Sequence, residues 1–148
     1  MGDLLQPWHL LVLFAVFGVL FLLPKIFYIL TLQRALEKCA PTSRTLSPGL
    51  TWLLLLPFFN LVWHFIVVTG MAKSLENEFR RRNLPNADPL PGQSIGLAMC
   101  ICAVCCVIPI LGFLAALGYL VLWVIYWIKI VEYSRTLSEL PELTAPAN

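Results

Sequence analysis

Residues 8–32 form a long apolar stretch, WHLLVLFAVFGVLFLLPKIFYILTL. A helix needs about 20 apolar residues to cross roughly 30 Å of bilayer hydrocarbon, and this stretch is long enough. It lacks the basic start and the small-residue cleavage site of a secretory signal, so we expect it to be kept as a membrane span. Pro24 is expected to kink the helix, and Lys25 to reach the nearer interface with its long side chain.

The composition of the whole chain agrees with that stretch. Its 148 residues are 59% hydrophobic and only 12% charged, with a net charge of +2 and a mean hydropathy of +0.83. Soluble domains carry about 25% charged residues. A soluble enzyme, a nucleic-acid-binding protein, a disordered chain and a disulfide-rich secreted scaffold are therefore poor fits, and the predicted surroundings are lipid.

Three further spans are predicted, at residues 50–71, 94–108 and 112–133. The charged pairs that follow the second span predict that its helix continues out of the membrane and ends before Pro85. The third span is short, and a re-entrant segment is its alternative. The predicted fold class is all-α: a polytopic bundle of four transmembrane helices in one domain, residues 1–136, followed by a disordered tail at 137–148.

The loops predict an orientation. Four spans put both termini and the loop at residues 73–92 on one side. The basic residues on this side are Lys73, Arg80, Arg81, Arg82, Lys129 and Arg135. The other side receives Arg34, Lys38 and Arg44. Because basic residues are enriched in cytoplasmic loops, both termini are expected in the cytoplasm.

Several segments carry a family resemblance: LQRALEKCAPTSRTLSPG, WLLLLPFFNLVWHFIVV, KSLENEFRRRN, SIGLAMCICAVCC with IPILG, and VIYWIKIVEY. Together they resemble a set of small bacterial multipass membrane proteins, over roughly residues 8–135. The resemblance implies a protein of the bacterial inner, or cytoplasmic, membrane. The family has no assigned activity, so the resemblance implies no catalytic residues.

Asn60 and His64 are the polar residues nearest the middle of the second span. Their spacing of four puts them on one helix face, which in lipid turns toward the bundle interior. They are candidates for a polar interior or a pore lining, and an interhelical hydrogen bond is the alternative.

The third span contains Cys100, Cys102, Cys105 and Cys106. Cys102, Cys105 and Cys106 could join His64 in a tetrahedral zinc site. Burial in a helix of low dielectric disfavours thiolates, so packing is the preferred interpretation and no metal is predicted. The odd total of five cysteines argues against a disulfide framework.

Small residues at a spacing of four predict close helix packing, either within one chain or between copies. They are Gly92, Gly96 and Cys100, and then Gly112 and Ala116. Trp123, Tyr126, Trp127 and Lys129 are interpreted as an interface anchor. Arg80, Arg81 and Arg82 could contact lipid headgroups.

No catalytic motif and no pair of acidic residues within a span is present in the sequence. The predicted function is therefore non-enzymatic: a membrane scaffold or accessory protein that acts through helix packing and oligomerisation. Its partners would be the lipid bilayer and either a second copy or another membrane protein, with no cofactor and no nucleic acid. The alternative is a small channel or transporter with a path lined by Asn60 and His64.

Overall fold

The computed structural model describes residues 6–85 and 88–140, except for the side chains of residues 57 and 58. These residues form four α-helices and one 3-10 helix, with no β-strand among them. The 3-10 helix, Pro48–Leu55, lies between the first two of the α-helices, which are α1 (Pro7–Lys38), α2 (Pro57–Arg81), α3 (Gln93–Cys105) and α4 (Gly112–Glu139). The predicted all-α class is confirmed.

Within the described residues, two helices are long and apolar enough to cross a membrane. The most apolar window of α1 has a hydropathy of 2.6, and that of α4 reaches 2.0. At about 1.5 Å per residue, α1 is about 48 Å long and α4 about 42 Å. α3 is apolar but has only 13 residues. Four complete spans are therefore not confirmed.

The chain reverses inside the apolar stretch predicted as the second span, residues 50–71. The 3-10 helix ends at Leu55, Leu56 is extended with φ −73° and ψ 115°, and α2 begins at Pro57. Proline suits the first helical position, where its missing N–H would have no partner, and it disfavours helix at the residue before it. The prediction of one continuous span was wrong, because the composition is equally apolar on both sides of the reversal.

The two halves of this segment lie side by side. The hydroxyl oxygens of Thr45 and Ser74 are 3.1 Å apart. Trp63 Nε1 donates to the Leu50 carbonyl at 2.9 Å. Residue numbers rise along one half while they fall along the other, so the halves are antiparallel. Residues 43–81 therefore form a hairpin that leaves one end of the bundle and returns to it.

α1 and α4, in contrast, are parallel. Trp127 Nε1 donates to Thr31 Oγ1 at 2.9 Å, and Lys38 Nζ donates to the Ser134 carbonyl at 2.9 Å. The end of α2 joins them, because the Arg82 guanidinium donates to the Lys38 carbonyl at 3.0 Å. The C-terminal ends of α1, α2 and α4 thus meet at one end of the bundle, which we call the charged end. The opposite end is called the apolar end.

This arrangement corrects the expected distribution of charge. Lys38 and Arg44 were predicted across the membrane from Arg82, yet all three lie at the charged end. The described chain also begins at the apolar end and finishes at the charged end, whereas four alternating spans would bring both ends to one side. The cause is the hairpin of residues 43–81, which returns to the end of the bundle from which it leaves.

α3 and α4 form a second hairpin. The predicted division near Pro109 is confirmed, because α3 ends at Cys105 and α4 begins at Gly112. A Cβ atom on Gly96 would lie 2.4 Å from Val68 Cγ1, so only glycine lets α3 approach α2 this closely.

The boundaries near the C-terminus differ from those expected. α4 continues to Glu139, and Leu137 is buried, although a disordered tail was expected from residue 137. Residues 141–148 of that tail lie outside the described residues. The helix that was expected to end before Pro85 does so, at Arg81. Between α2 and α3, residues 83–85 and 88–92 are non-helical, and residues 86–87 lie outside the described residues.

The hydrophobic core lies toward the charged end. Its most deeply buried side chains come from all four α-helices: Ile29, Leu32, Leu36, Val67, Val68, Met71, Leu75, Met99 and Ile130. The N-terminal half of α1 contributes none of them. Phe14, for example, is 85% exposed.

Candidate functional site

A cavity of about 470 Å³ lies between α1, α2 and α4, on the apolar side of the core. We call it the Lys25 cavity. Most of its lining is apolar, with a few polar side chains among Leu20, Phe21, Pro24, Lys25, Tyr28, Leu54, Asn60, His64, Ala116, Tyr119, Leu120 and Trp123. Pockets for small molecules typically measure about 300–1,000 Å³ and combine apolar walls with a few polar groups, which describes this one.

α1 places Lys25 in this cavity. Side chains on a helix slope toward its N-terminus, and Lys25 shares the cavity wall with Leu20 and Phe21 on the preceding turn. The charged end lies in the opposite direction. That Lys25 reaches the nearer interface stays a prediction, and the structure places the residue in the cavity wall. Within the described chain, the Lys25 ammonium forms neither a hydrogen bond nor an ion pair.

His64 and Tyr28 connect α2 to α1. The Tyr28 hydroxyl and His64 Nε2 share a hydrogen bond of 3.0 Å, and both side chains are buried. The ring of Tyr28 also contacts Trp123, with ring centroids 5.4 Å apart. This bond is the interhelical role that was the alternative for His64 in the sequence, and it holds the imidazole at the cavity wall.

Asn60 lies one turn before His64 on the same face of α2, and both line the cavity, as their spacing suggested. Its Oδ1 atom is buried and has no hydrogen-bond donor among the described residues. A buried polar atom left unpaired costs about 1–3 kcal/mol. The cavity therefore contains an ammonium without an anion and an amide whose bonding capacity is not used.

A second polar group of residues ties the charged end together. Glu78 is fully buried and accepts a hydrogen bond from the Ala40 N–H at 2.9 Å and from Arg82 Nε at 2.6 Å. Arg82 in turn donates to the Leu137 carbonyl at 2.7 Å. One ion pair thus joins the ends of α1, α2 and α4, and it satisfies carbonyls that helix ends leave without partners.

The environment of Glu78 favours its charged form. Burial acts to raise the pKa of the Glu78 carboxyl, but hydrogen bonds from Arg81, the Ala40 N–H, Ser43 and Arg82 outweigh burial and hold the pKa at about 2. Glu78 is therefore an anion at neutral pH, and the network is an ionic one.

These contacts change the interpretation of the arginine cluster. Only 12% of the Arg82 side chain is exposed, so its guanidinium is occupied by helix ends and does not face lipid headgroups as predicted. Arg81 is 37% exposed and pairs with Glu78, and Arg80 is 77% exposed and pairs with Glu76. Of the three arginines, Arg80 alone has the exposure expected of a headgroup contact.

The predicted interface anchor on α4 is largely part of the interior. Tyr126 belongs to the core, and Trp123 lines the Lys25 cavity. Trp127 is half-buried and donates to Thr31 of α1. Lys129 is exposed and pairs with Glu132, so it fits the predicted surface role. The interior positions arise because α1 packs along this face of α4.

The small residues also act within the chain. Gly92 has a φ of 72° at the start of α3 and lies against Tyr126. Together with Gly96 and the buried Cys100, it forms the face of α3 that packs inside the bundle. Gly112 lies against the Cys106 carbonyl in the turn, and Ala116 faces the cavity. Packing within one chain is observed for Gly92, Gly96 and Cys100, whereas Ala116 is exposed, and contacts between copies stay a prediction.

The cysteines do not assemble with His64. Among the described residues, no group of three His, Cys, Asp or Glu side chains has the geometry of a metal site. All five cysteines are free thiols, and Cys102 Sγ packs beside Gly118 of α4. The zinc interpretation of Cys102, Cys105 and Cys106 therefore gains no geometric support.

The sequence analysis assigned neither Lys25 nor Tyr28 to a site, and it placed Trp123 in an interface anchor. The available signal was Lys25 itself, a charge inside an apolar run, because such residues usually face a bundle interior or a cavity. The spacing of three between Lys25 and Tyr28 also puts them on one face of α1.

Comparison of the chain with protein-family models, with curated proteins and with solved structures gives no match.

Proposed function

We propose that this chain is an integral membrane protein that binds a small amphiphilic molecule in the Lys25 cavity. The observation that carries this proposal is the cavity itself. It has the volume of a small-molecule site, apolar walls, and two polar groups, Lys25 and Asn60, whose bonding capacity the described residues leave unused. In a bilayer, a cavity of this kind selects a molecule that has both an apolar part and a polar group.

The proposed membrane placement follows from the two long apolar helices. α1 and α4 cross the hydrocarbon, α3 is a short third crossing, and the hairpin of residues 43–81 is re-entrant. Every lysine and arginine in the sequence except Lys25 then falls at or near the charged end. The enrichment of basic residues in cytoplasmic loops puts that end in the cytoplasm. The resemblance noted in the sequence supports the bacterial inner membrane.

Binding fits the cavity better than conduction does. A channel needs a continuous polar path. Between the Lys25 cavity and the charged end lie Leu32, Val68 and Met71, all fully buried in the core. The cavity therefore closes on its cytoplasmic side, and proton flux through liposomes containing the protein should equal that of empty liposomes. A flux that His64→Ala abolishes, with the fold intact, would restore the channel interpretation.

An accessory role through oligomerisation was the other expectation from the sequence. The stripe of Gly92, Gly96 and Cys100 supported it most directly, and that stripe packs inside one chain. A binding role is therefore supported by a specific feature of the molecule, the Lys25 cavity, whereas oligomerisation has no such support.

Native mass spectrometry of protein released from nanodiscs tests the proposed function. Ala116 lines the cavity, so Ala116→Phe fills it, whereas Leu117 is absent from the lining and Leu117→Phe serves as a matched control. We expect wild type and Leu117→Phe to retain one small molecule per chain, and Ala116→Phe to retain none. No retained molecule in wild type, or equal retention in Ala116→Phe, would overturn the proposal.

A further inference from the structure

The Lys25 cavity contains a positive charge without a counter-charge. Its lining residues include Lys25 and no aspartate or glutamate. In the part of the chain that the structure describes, the acidic side chains nearest in sequence to those of the cavity lie toward the charged end: Glu37 on α1, Glu76 on α2 and Glu132 on α4. Nothing in the described protein therefore neutralises this ammonium.

The distance of Lys25 from the charged end makes its positive charge energetically unfavourable. Lys25 precedes Arg34 by nine positions, which is about 13 Å of helix at about 1.5 Å per residue. The direction of its side chain, toward the N-terminus of α1, takes the ammonium further from the charged end. A cation inside hydrocarbon is unfavourable unless it is hydrated or paired, so an anion bound in the cavity is stabilised by this residue.

Asn60 supplies a second contact for the same group. Its amide is at the cavity wall, with the buried Oδ1 unpaired. The NH2 of the same amide donates to no acceptor among the described residues, so it is the donor that an anion in the cavity can use. Lys25 and Asn60 can then both donate to one anionic group. A carboxylate, with two oxygens and a single charge, matches these two donors.

The N-terminal half of α1 offers an apolar surface for the remainder of such a ligand. Leu20 and Phe21 form the cavity wall on the side of the apolar end. From there, apolar side chains continue along the N-terminal half of α1, including Phe17 and Phe14, and the described part of the chain does not bury them. An extended alkyl chain can lie along this surface while its head group stays in the cavity.

We propose that the Lys25 cavity binds the carboxylate of a single-chain amphiphile, a long-chain fatty acid, through Lys25 and Asn60. This inference rests on the proposed function and specifies its ligand. A phospholipid headgroup is the other source of an anion, but its place in a bilayer is the interface, whereas the cavity lies within the hydrocarbon.

Fluorescence quenching of Trp123 tests the inference, since this residue lines the cavity. The protein is placed in phosphatidylcholine nanodiscs and titrated with dibromostearic acid, its methyl ester, or a brominated phosphatidylglycerol. The signal is the difference in fluorescence quenching between wild type and Trp123→Phe, which isolates the contribution of Trp123. We expect saturable quenching by the acid, at least tenfold tighter than by the ester, and no saturable component with the phospholipid.

Variants identify the residues involved. Lys25→Met should weaken binding of the acid at least tenfold and leave the ester unchanged, while Lys129→Met, at an exposed lysine, should change neither. Because the acid and the ester are also compared without Lys25→Met and Lys129→Met, that comparison depends only on the folding of wild type and Trp123→Phe.

Each alternative result has a separate meaning. Equal, saturable binding of acid and ester overturns the carboxylate assignment and leaves the proposed function standing. Saturable binding of the phospholipid as tight as that of the acid replaces the fatty acid with a lipid headgroup. Quenching that never saturates, and that Ala116→Phe does not alter, overturns both the inference and the proposed function.

Discussion

The hydroxyl of Tyr28 lies 3.0 Å from Nε2 of His64, and this buried hydrogen bond joins α1 to α2 beside the cavity. Sequence spacing puts His64 on an inward face but does not name its partner. That partner comes from α1, with 36 positions between the two residues. The bond fixes one wall of the Lys25 cavity and gives the first prediction.

Tyr28→Phe removes this hydroxyl and leaves a buried imidazole nitrogen without its partner. We expect the free energy of unfolding, measured by SDS titration in mixed micelles, to fall by about 1–3 kcal/mol. Tyr126→Phe is the matched control, because the Tyr126 hydroxyl is buried and has no hydrogen-bond partner among the described residues, so its loss should be neutral or stabilising. Equal effects of the two substitutions would show that the hydrogen bond contributes nothing.

Glu78→Gln removes the anion that joins three helix ends. Arg82 would keep its buried position without its partner charge, and loss of one partner from a buried pair typically costs about 3–5 kcal/mol. Glu76→Gln is the control, since its partner Arg80 is 77% exposed and such pairs contribute about 0–1 kcal/mol. The same SDS titration measures both variants, and a loss below about 1 kcal/mol for Glu78→Gln would rule out the joining role.

The pKa of Glu78 also predicts a pH dependence. Its value in the folded protein, about 2, is below the ordinary 4.5, so the stabilising contribution is fully present above pH 4.5 and is lost as the pH falls toward 2. Wild type should therefore lose stability over this range in excess of Glu78→Gln, which cannot titrate at this position. Parallel pH profiles of the two proteins would contradict the assignment.

Gly96→Ala tests the close packing of α3. The new Cβ would lie 2.4 Å from Val68 Cγ1 and 2.9 Å from Tyr126 Cε2, so either these side chains or α3 must shift. A loss of roughly 1–3 kcal/mol in unfolding free energy is expected. Gly18→Ala provides the comparison, because nothing lies within 4 Å of a Cβ at Gly18 and alanine favours helix. Native mass spectrometry of Gly96→Ala should show an unchanged subunit number, whereas dissociation of an oligomer would assign the stripe to contacts between copies.

Much of the helical content could be predicted from the sequence because its signals are local. The apolar run of residues 8–32 predicts α1, and the charged pairs after Met71 predict that α2 continues to Arg81. Pro109 marks the turn before α4. Length, periodicity and proline determine each of these features without reference to the rest of the chain.

The direction of the hairpin could not be predicted in the same way. Leu56 and Pro57 are surrounded by apolar residues on both sides, so hydropathy does not change where the chain reverses. The composition of a span and that of a re-entrant pair are therefore the same. The difference lies in contacts between distant positions, such as Thr45 with Ser74, which sequence periodicity does not contain.

Only half of the candidate site could be predicted from the sequence. Asn60 and His64 share a helix face, and that spacing is readable from the sequence. Lys25 and Trp123 join them only because α1 and α4 run parallel, with Thr31 beside Trp127. An alternating four-span order makes the first and fourth helices antiparallel, which brings different residues of α4 beside Lys25.

A disulfide between positions 45 and 74 tests the re-entrant hairpin most directly. The hairpin matters because it sets the directions of all the helices. The hydroxyl oxygens of Thr45 and Ser74 are 3.1 Å apart, so Thr45→Cys with Ser74→Cys places two thiols within bonding reach. Peptide mapping by mass spectrometry after mild oxidation in membranes identifies the linked pair without removal of the native cysteines. Thr45→Cys with Ile110→Cys, at the exposed apolar turn, is the control.

We predict an intramolecular 45–74 disulfide in most chains and no 45–110 disulfide. A four-span protein would instead have the bilayer between positions 45 and 74, about 30 Å of hydrocarbon. Absence of the 45–74 disulfide in a folded protein would contradict the hairpin, the common charged end and the cavity that depends on them.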